Sequence, residues 1–281
     1  PVLSYGRLIA AHRTTMIHGV MFSAVFASAY TLLPKMLQTQ VSSTRSSDIL
    51  AWSGAAIVLA GVVTILGGHG SGREYADLPL VLGLVFWLWL ILVAIDISIV
   101  LYRSRTLEPI PSAGLLLLAA MLPAIVYPFA LPGWWGAGLF DTVRTWMSWR
   151  AIFISCFTLA AIGTGLWYLN IRNGGFRIHR GIFAIAVVLI AGFGPLMGTV
   201  HLLDAPIWIG LKAVGAMTGI LVATGLVLIA VMMWKGPGWD PPSFLFIAGI
   251  TGIGVAAVQG AVMLLPPVYA AFHYTSNTFA H

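Results

Sequence analysis

The sequence predicts an all-α integral membrane protein, a polytopic bundle of about eight transmembrane helices. Three observations carry that prediction. Mean hydropathy is +0.97. Hydrophobic residues make up 59% of the 281-residue chain and charged residues only 8%, proportions outside the range of water-soluble globular domains. Apolar runs of roughly 20 residues, enough for a helix to cross a hydrocarbon core, recur from one end to the other. Lipid leaves only helices and closed barrels able to satisfy the backbone, and the alternating ten-residue segments of a barrel are absent.

The spans are expected at about 8–33, 50–68, 79–102, 113–131, 150–170, 181–203, 207–234 and 243–265, joined by short connections into one domain over 1–281. The first carries His12 and His18. The third holds Asp96 about two turns before Arg103, a spacing that suits a snorkelling ion pair. The fifth opens at Trp149-Arg150 and contains Cys156, the one cysteine, which excludes an internal disulfide. The sixth closes on His201 and Asp204, where Pro206 stops one helix and prepares the next. The seventh begins near Lys212 and, like the eighth, has small-residue stretches, Ala213 to Gly225 and Ala248 to Gly260, that let membrane helices approach closely. Ahead of the first span, Pro1-Val-Leu-Ser-Tyr-Gly-Arg7 has neither an initiator methionine nor a signal-peptide pattern, so the numbering is expected to begin inside a longer polypeptide.

Positive charge sets the orientation. Lys35, Arg45, Arg103, Arg105, Arg172, Arg177, Arg180 and Lys235 fall in alternate loops, against Arg7, Arg13, Arg73, Arg144 and Arg150 on the other side. The bias puts the amino terminus outside, and an even span count returns His281 to the same face. The formal charge of +6 therefore reads as contact with anionic lipid headgroups rather than with nucleic acid. Trp134, Trp135, Trp146, Trp149, Trp234 and Trp239 near span ends fit an aromatic belt.

An ionisable group inside a bilayer needs a partner or a purpose, which singles out His12, His18, Asp96, Arg150, His201, Asp204, Lys212, His273 and His281. On an unbroken α-helix, His12 and His18 are six residues and roughly 120° apart, so they serve different faces. A neutral imidazole facing a bundle interior is the usual protein ligand of haem iron, although a bond to a neighbouring carbonyl is the plainer role. Asp204 lies three residues from His201, near enough to orient its ring as carboxylates do around metals; a wetted helix-end pair fits equally. Arg150 either clamps a propionate or marks the interface. No phosphate loop, dinucleotide fingerprint, Cys-x-x-Cys or Cys-x-x-Cys-His is present.

Taken in order, six segments resemble the core subunit of the haem-copper oxidase superfamily, closest to its cbb-type oxygen reductase and nitric oxide reductase branch. Gly6-Arg7-Leu8-Ile-Ala-Ala-His12-Arg-Thr, followed by Ala27-Ser-Ala-Tyr30-Thr-Leu-Leu-Pro34, is similar to the helix carrying an axial histidine of the low-spin haem b, with His12 in that place. Gly72-Arg73-Glu74-Tyr75-Ala76-Asp77-Leu-Pro79 resembles a segment near haem propionates or a calcium ion, and Tyr102-Arg-Ser-Arg105-Thr-Leu-Glu108-Pro109 resembles the next inner loop. Trp167-Tyr168-Leu resembles the end of the copper-site helix, and Gly194-Pro195 to Trp208 the turn with the family's paired histidines. Tyr274-Thr275 to His281 is similar to the approach to a His-x-His pair, whose first histidine binds the high-spin haem.

The departures matter too. Trp149-Arg150-Ala151 stands where the family places a copper-ligating histidine, and only His201 stands where it has two adjacent ones. Two of three non-haem metal ligands are thus missing from the pattern, which leaves copper or non-haem iron poorly held. The second histidine of the final pair, and the family's first and last helices, would lie beyond the sequence, in a longer subunit or a partner chain.

The resemblance implies a haem b-containing redox subunit of a respiratory complex in a bacterial or archaeal cytoplasmic membrane, or an equivalent energy-transducing one. It would carry one or two haems, with His12 and His281 as iron ligands, His201 as a weaker metal candidate, and Arg73 and Arg150 at propionates. Other membrane subunits and a c-type cytochrome or quinone would be its partners. Oxygen or nitric oxide reduction would follow if histidines outside the segment rebuilt the metal site. A haem-free structural or assembly subunit is the competing class. A secondary transporter would require interrupted helices and repeats between the halves, and no clear repeat is present.

Overall fold

The computed structural model describes residues 4–40, 43–72, 76–104, 111–131, 133, 138–172, 179–196, 209–234 and 241–262, and among these every regular element is helical. Six helical rods are long and apolar enough to cross a membrane, and two shorter apolar helices, Arg180–Leu196 and Phe244–Gln259, account for the rest of the eight expected spans. The chain packs as two compact units, Pro1–Thr164 and Gly165–His281.

In the first unit, α1 (Tyr5–Thr14), a π-helical segment (Thr15–Met21) and α2 (Phe22–Met36) form one continuous rod. The sequence reading assumed an unbroken α-helix; the π segment widens the turn and shifts the phase of every later side chain. Thr15 sits at the transition, where its hydroxyl donates back to the Ala11 carbonyl at 2.9 Å and competes with the regular ladder. The rod ends at Leu37, with Gln38 at φ 50° and Thr39 N donating to Pro34 O at 2.9 Å, the closing bond of a Schellman turn. Pro34 is tolerated close to that end.

The next helix, α3 (Thr44–Leu66), is capped by Ser43, whose side chain accepts from Ser46 N. It buries Gly54, Val58, Gly61 and Ile65, a stripe spaced by three and four residues. The small residues admit large ones opposite. A Cβ at Gly54 would lie 2.5 Å from Trp89 of α4 (Leu80–Tyr102). The indole cannot swing clear, because its Nε1 donates to Leu50 O at 2.8 Å and its ring packs on Phe26 and Phe86. Gly54→Ala is therefore expected to destabilise the unit by about 1–3 kcal/mol through overpacking. A lowered thermal midpoint in detergent is the readout, and an unchanged one would show Trp89 free to move.

Two prolines, Pro123 and Pro128, lie inside α5 (Pro111–Ala130). Pro128 has no N–H for the carbonyl four residues back, and Trp87 Nε1 donates to that carbonyl, Ala124 O, at 2.8 Å. The last rod to begin in the unit runs through α6 (Leu139–Arg150), a second π segment (Ala151–Phe157) and α7 (Thr158–Arg172), whose residues from Gly165 on belong to the second unit. It starts after Gly138 at φ 87°. Phe22, Phe86, Leu116, Tyr127, Ile152 and Leu159 fill the interior, whereas Trp52, Val81, Leu88 and Ile125 lie exposed as lipid-facing side chains do.

The second unit contains α8 (Arg180–Phe193), α9 (Ile209–Trp234) and α10 (Pro241–Val262). Gly225 lets α9 approach the α8 backbone so closely that a Cβ there would come within 2.9 Å of Ala186 O. Small residues thus set helix spacing in both units, as the Ala- and Gly-rich stretches predict.

Candidate functional site

The first rod presents two imidazoles in opposite surroundings. His12, at the end of α1, is exposed, and its side chain makes no hydrogen bond to another described residue. His18, inside the π segment, is 2% exposed. Their separation onto different faces agrees with the sequence reading. The angle does not follow from a uniform 100° step, because the π segment intervenes between them.

His18 stands in a cage of rings from four helical segments. Phe22, Phe86, Tyr127 and Trp149 have centroids 6.1, 4.9, 5.9 and 5.5 Å from its own. Its Nε2 is 2.9 Å from the Tyr127 hydroxyl. On its other side His18 lines a cleft of about 610 Å³ that runs along the first rod and α3 and is bounded by Trp89 and Val93 of α4. Thr15 and Gly19 contribute to the same wall, and Tyr30, Ser47 and Asp48 give the far end its polar groups.

Near that end, Asp96 is 7% exposed. Ser46 Oγ donates to its Oδ1 at 3.2 Å, and the Tyr30 hydroxyl contacts the same carboxylate. Contact with residues of other helices holds the carboxylate inside the bundle. No local pattern points to Ser46, fifty residues away.

Toward the amino-terminal end of the first rod, Arg13 and Asp77 form a bidentate pair, Nε to Oδ2 and Nη2 to Oδ1, both 3.0 Å. Arg7 donates to Leu66 O at 3.3 Å, Ser71 N to Asp77 O at 3.1 Å, and Ser71 Oγ bonds Ala76 O. The connection from α3 to α4 is thereby fastened over the first span. Asp141 and Arg144 make a second pair, with Arg144 also donating to Leu131 O at 3.1 Å and Asp141 accepting from Gly133 N.

Arg150 was expected to open its span. Instead the helix begins at Leu139, and eleven residues of rise put Arg150 about 16 Å along the rod. Polar residues such as Asp141, Arg144 and Thr145 dilute the apolar run and hide the true start, even though Asp141, Thr145 and Ser148 are buried. Arg150 is half-buried and has contacts of its own. Arg73, His201, Asp204, His273 and His281 lie outside the described residues, as does the side chain of Lys212. Among the described residues no three His, Cys, Asp or Glu side chains group as metal ligands do.

Sequence reasoning missed the ring cage and the Arg13–Asp77 clamp. His18-Gly19 in an apolar run was the only signal for the first. Asp77, the last acid before Pro79 and the third span, was the only one for the second.

Compared with curated proteins, the chain finds no match. A family model described as cytochrome c and quinol oxidase polypeptide I matches residues 1–281. The all-helical membrane architecture and the order of the resembling segments agree with it. With the match running from one end of the sequence to the other, the chain belongs to the cytochrome c and quinol oxidase polypeptide I family.

Proposed function

We propose that this chain is a haem b-containing redox subunit of a respiratory membrane complex that passes electrons to or from a c-type cytochrome or a quinone. The family's role as the redox core of multi-subunit membrane complexes supports the coarse reading. The observation that carries the finer one is the state of His12. It is exposed, makes no side-chain hydrogen bond to a described residue, and sits on a membrane-spanning helix, so its imidazole keeps a lone pair for iron. That fits a haem ligand, held between membrane helices as such groups are.

In this reading His12 holds the low-spin haem and His281 a second one, with His201 a weaker metal candidate. Haem, when bound, supplies reversible one-electron transfer. The chain's own contribution is placement. Arg150 brings a guanidinium deep into the bundle and Arg73 another at the outer loop, each suited to a propionate. The bidentate bond to Asp77 keeps Arg13, next to His12, turned toward the outer loop.

The amino terminus faces outward in this proposal. The excess of lysine and arginine in the alternate loops on the other side supports it.

The purified protein is expected to show a b-type band in a reduced-minus-oxidised spectrum. Absence of the band from wild-type protein would overturn the reading in favour of a structural or assembly subunit. Metal analysis adds a further check, since copper or non-haem iron at unit stoichiometry would show that the ligand set is completed by residues other than Arg150.

A further inference from the structure

The cleft along the first rod and α3 is a surface that haem ligation at His12 does not use. Its two walls carry facing small residues, Gly19, Ser23 and Ala27 on the rod and Ala51, Gly54 and Ala55 on α3. Small residues four apart ordinarily let membrane helices close on each other. Here the closure is made at one end only. There α3 packs on α1 and the π segment, and a Cβ at Gly19 would lie 3.5 Å from Val58. Contact between α3 and α2 is sparse, which leaves the gap of about 610 Å³. Ser23, Ala27, Ala51, Ala55 and Leu59 are exposed along it on helices that span the membrane, so the gap opens toward lipid.

The cleft is longer than one leaflet is deep. Its lining runs from Ser47 to Val62 on α3 and from Thr15 to Tyr30 on the rod, each a rise of about 22 Å, against about 15 Å for half a hydrocarbon core. A lipid tail entering where α2 stops and α3 starts therefore has a wall along its whole depth. Tails gain little by leaving the bilayer for an apolar wall, so selection falls to the polar end. The neutral hydroxyls there are already engaged. Ser47 Oγ donates to Ser43 O and Thr44 O at 3.2 and 2.9 Å, and the Tyr30 hydroxyl contacts Asp96.

The charges at that end are not engaged. Asp48 lines the cleft, and Arg45 precedes it by one turn on the same face of α3. Both are exposed, and neither has a hydrogen bond or ion pair among the described residues, even with the other. Arg45 also sits in the first turn of α3, where the backbone dipoles favour an anion over a cation. An anion placed there meets both the guanidinium and the helix end.

We infer that the cleft binds one phospholipid with a primary-amine headgroup, a phosphatidylethanolamine, with a tail along the cleft, the phosphate at Arg45 and the ammonium at Asp48. The phosphate suits the guanidinium fork, and the ammonium brings three N–H donors to a carboxylate that only accepts. A choline headgroup has no N–H for Asp48, and an anionic headgroup brings no cation to it. The two charges together thus discriminate against both.

The test is native mass spectrometry of the intact protein released from vesicles of equal parts phosphatidylethanolamine, phosphatidylcholine and phosphatidylglycerol with matched tails. Wild type is expected to keep one phosphatidylethanolamine at about fivefold preference over either of the others, the scale of a single charge contact near a membrane surface. Asp48→Asn should bring phosphatidylethanolamine down to the level of phosphatidylcholine, and Arg45→Gln should lower retention of all three lipids. Both replace exposed side chains, so the thermal midpoint should stay at the wild-type value. Ala55→Leu, which fills the cleft from an exposed position, should lower retention of all three with both charges in place. Equal retention by wild type, or a preference that survives either Asp48→Asn or Ala55→Leu, would overturn the proposal. A preference for phosphatidylglycerol would overturn it by making this end a simple anion site. A retained polypeptide that is lost on Ala55→Leu would overturn it by giving the cleft to a partner helix.

Discussion

Replacing His12 with alanine is expected to abolish the b-type band while leaving the helical rod in place. The side chain is exposed and makes no hydrogen bond to a described residue, so its removal creates no cavity and no orphaned partner. Alanine also favours the helix slightly, by a few tenths of a kcal/mol. Helix content and thermal midpoint should therefore match wild type, and free imidazole added to the variant should restore part of the band by occupying the vacated place. His18→Ala is the contrasting variant. It removes a 2% exposed ring from the core, which should cost roughly 2–5 kcal/mol, as large-to-small core changes do, yet the band should persist. A His12→Ala protein that kept its band, beside a His18→Ala protein that lost it, would transfer the ligand role to His18.

Asp77→Ala is expected to give the largest loss of stability among single charge removals. Both Asp77 oxygens accept from Arg13 at 3.0 Å, and the side chains are 25% and 3% exposed for Arg13 and Asp77. Truncating the acid leaves a largely buried guanidinium without its carboxylate. Breaking a fully buried pair costs about 3–5 kcal/mol, and the exposure of Arg13 reduces the expectation to roughly 2–3 kcal/mol. Arg13→Ala together with Asp77→Ala should cost less than the sum of the two, because the double variant strands neither charge. Thermal midpoints of the four proteins in detergent supply the cycle. Additive losses would mean that the pair contributes nothing beyond its separate parts.

Much of the architecture was legible because membrane folding writes its constraint locally. A helix in lipid must be long and apolar on its own account, so hydropathy found the spans near Leu80–Tyr102 and Pro111–Ala130 within a few residues. It failed at the fifth rod, which begins at Leu139 rather than near Arg150. There, polar residues are shielded by protein instead of lipid: Asp141 is held by Gly133 N and Arg144, and Ser148 bonds the Arg144 carbonyl. Hydropathy scores a side chain by its type and cannot register such partners.

The candidate site divides in the same way. His12 was named as a candidate because resemblance depends on order and spacing along the chain. The His18 cage was not, since Phe86, Tyr127 and Trp149 approach from residues 68, 109 and 131 positions away, a distance no local pattern encodes. The two π segments were hidden as well, because a change of pitch leaves no mark in composition. Asp96 was expected beside Arg103 on its own helix, and packing adds a partner that no local pattern encodes, Ser46 of α3.

By itself, then, the sequence determined that this chain is a helical membrane protein with the ordered segments of its family, because apolar length and motif order are properties of the linear chain. Only the tertiary structure decided that His12 is exposed among the described residues while His18 is enclosed, that Arg150 lies well along a rod, and that Arg13 is clamped to Asp77. Those outcomes depend on which helices touch and at what pitch, and contact between distant residues is set by packing rather than by either residue's neighbours in the chain.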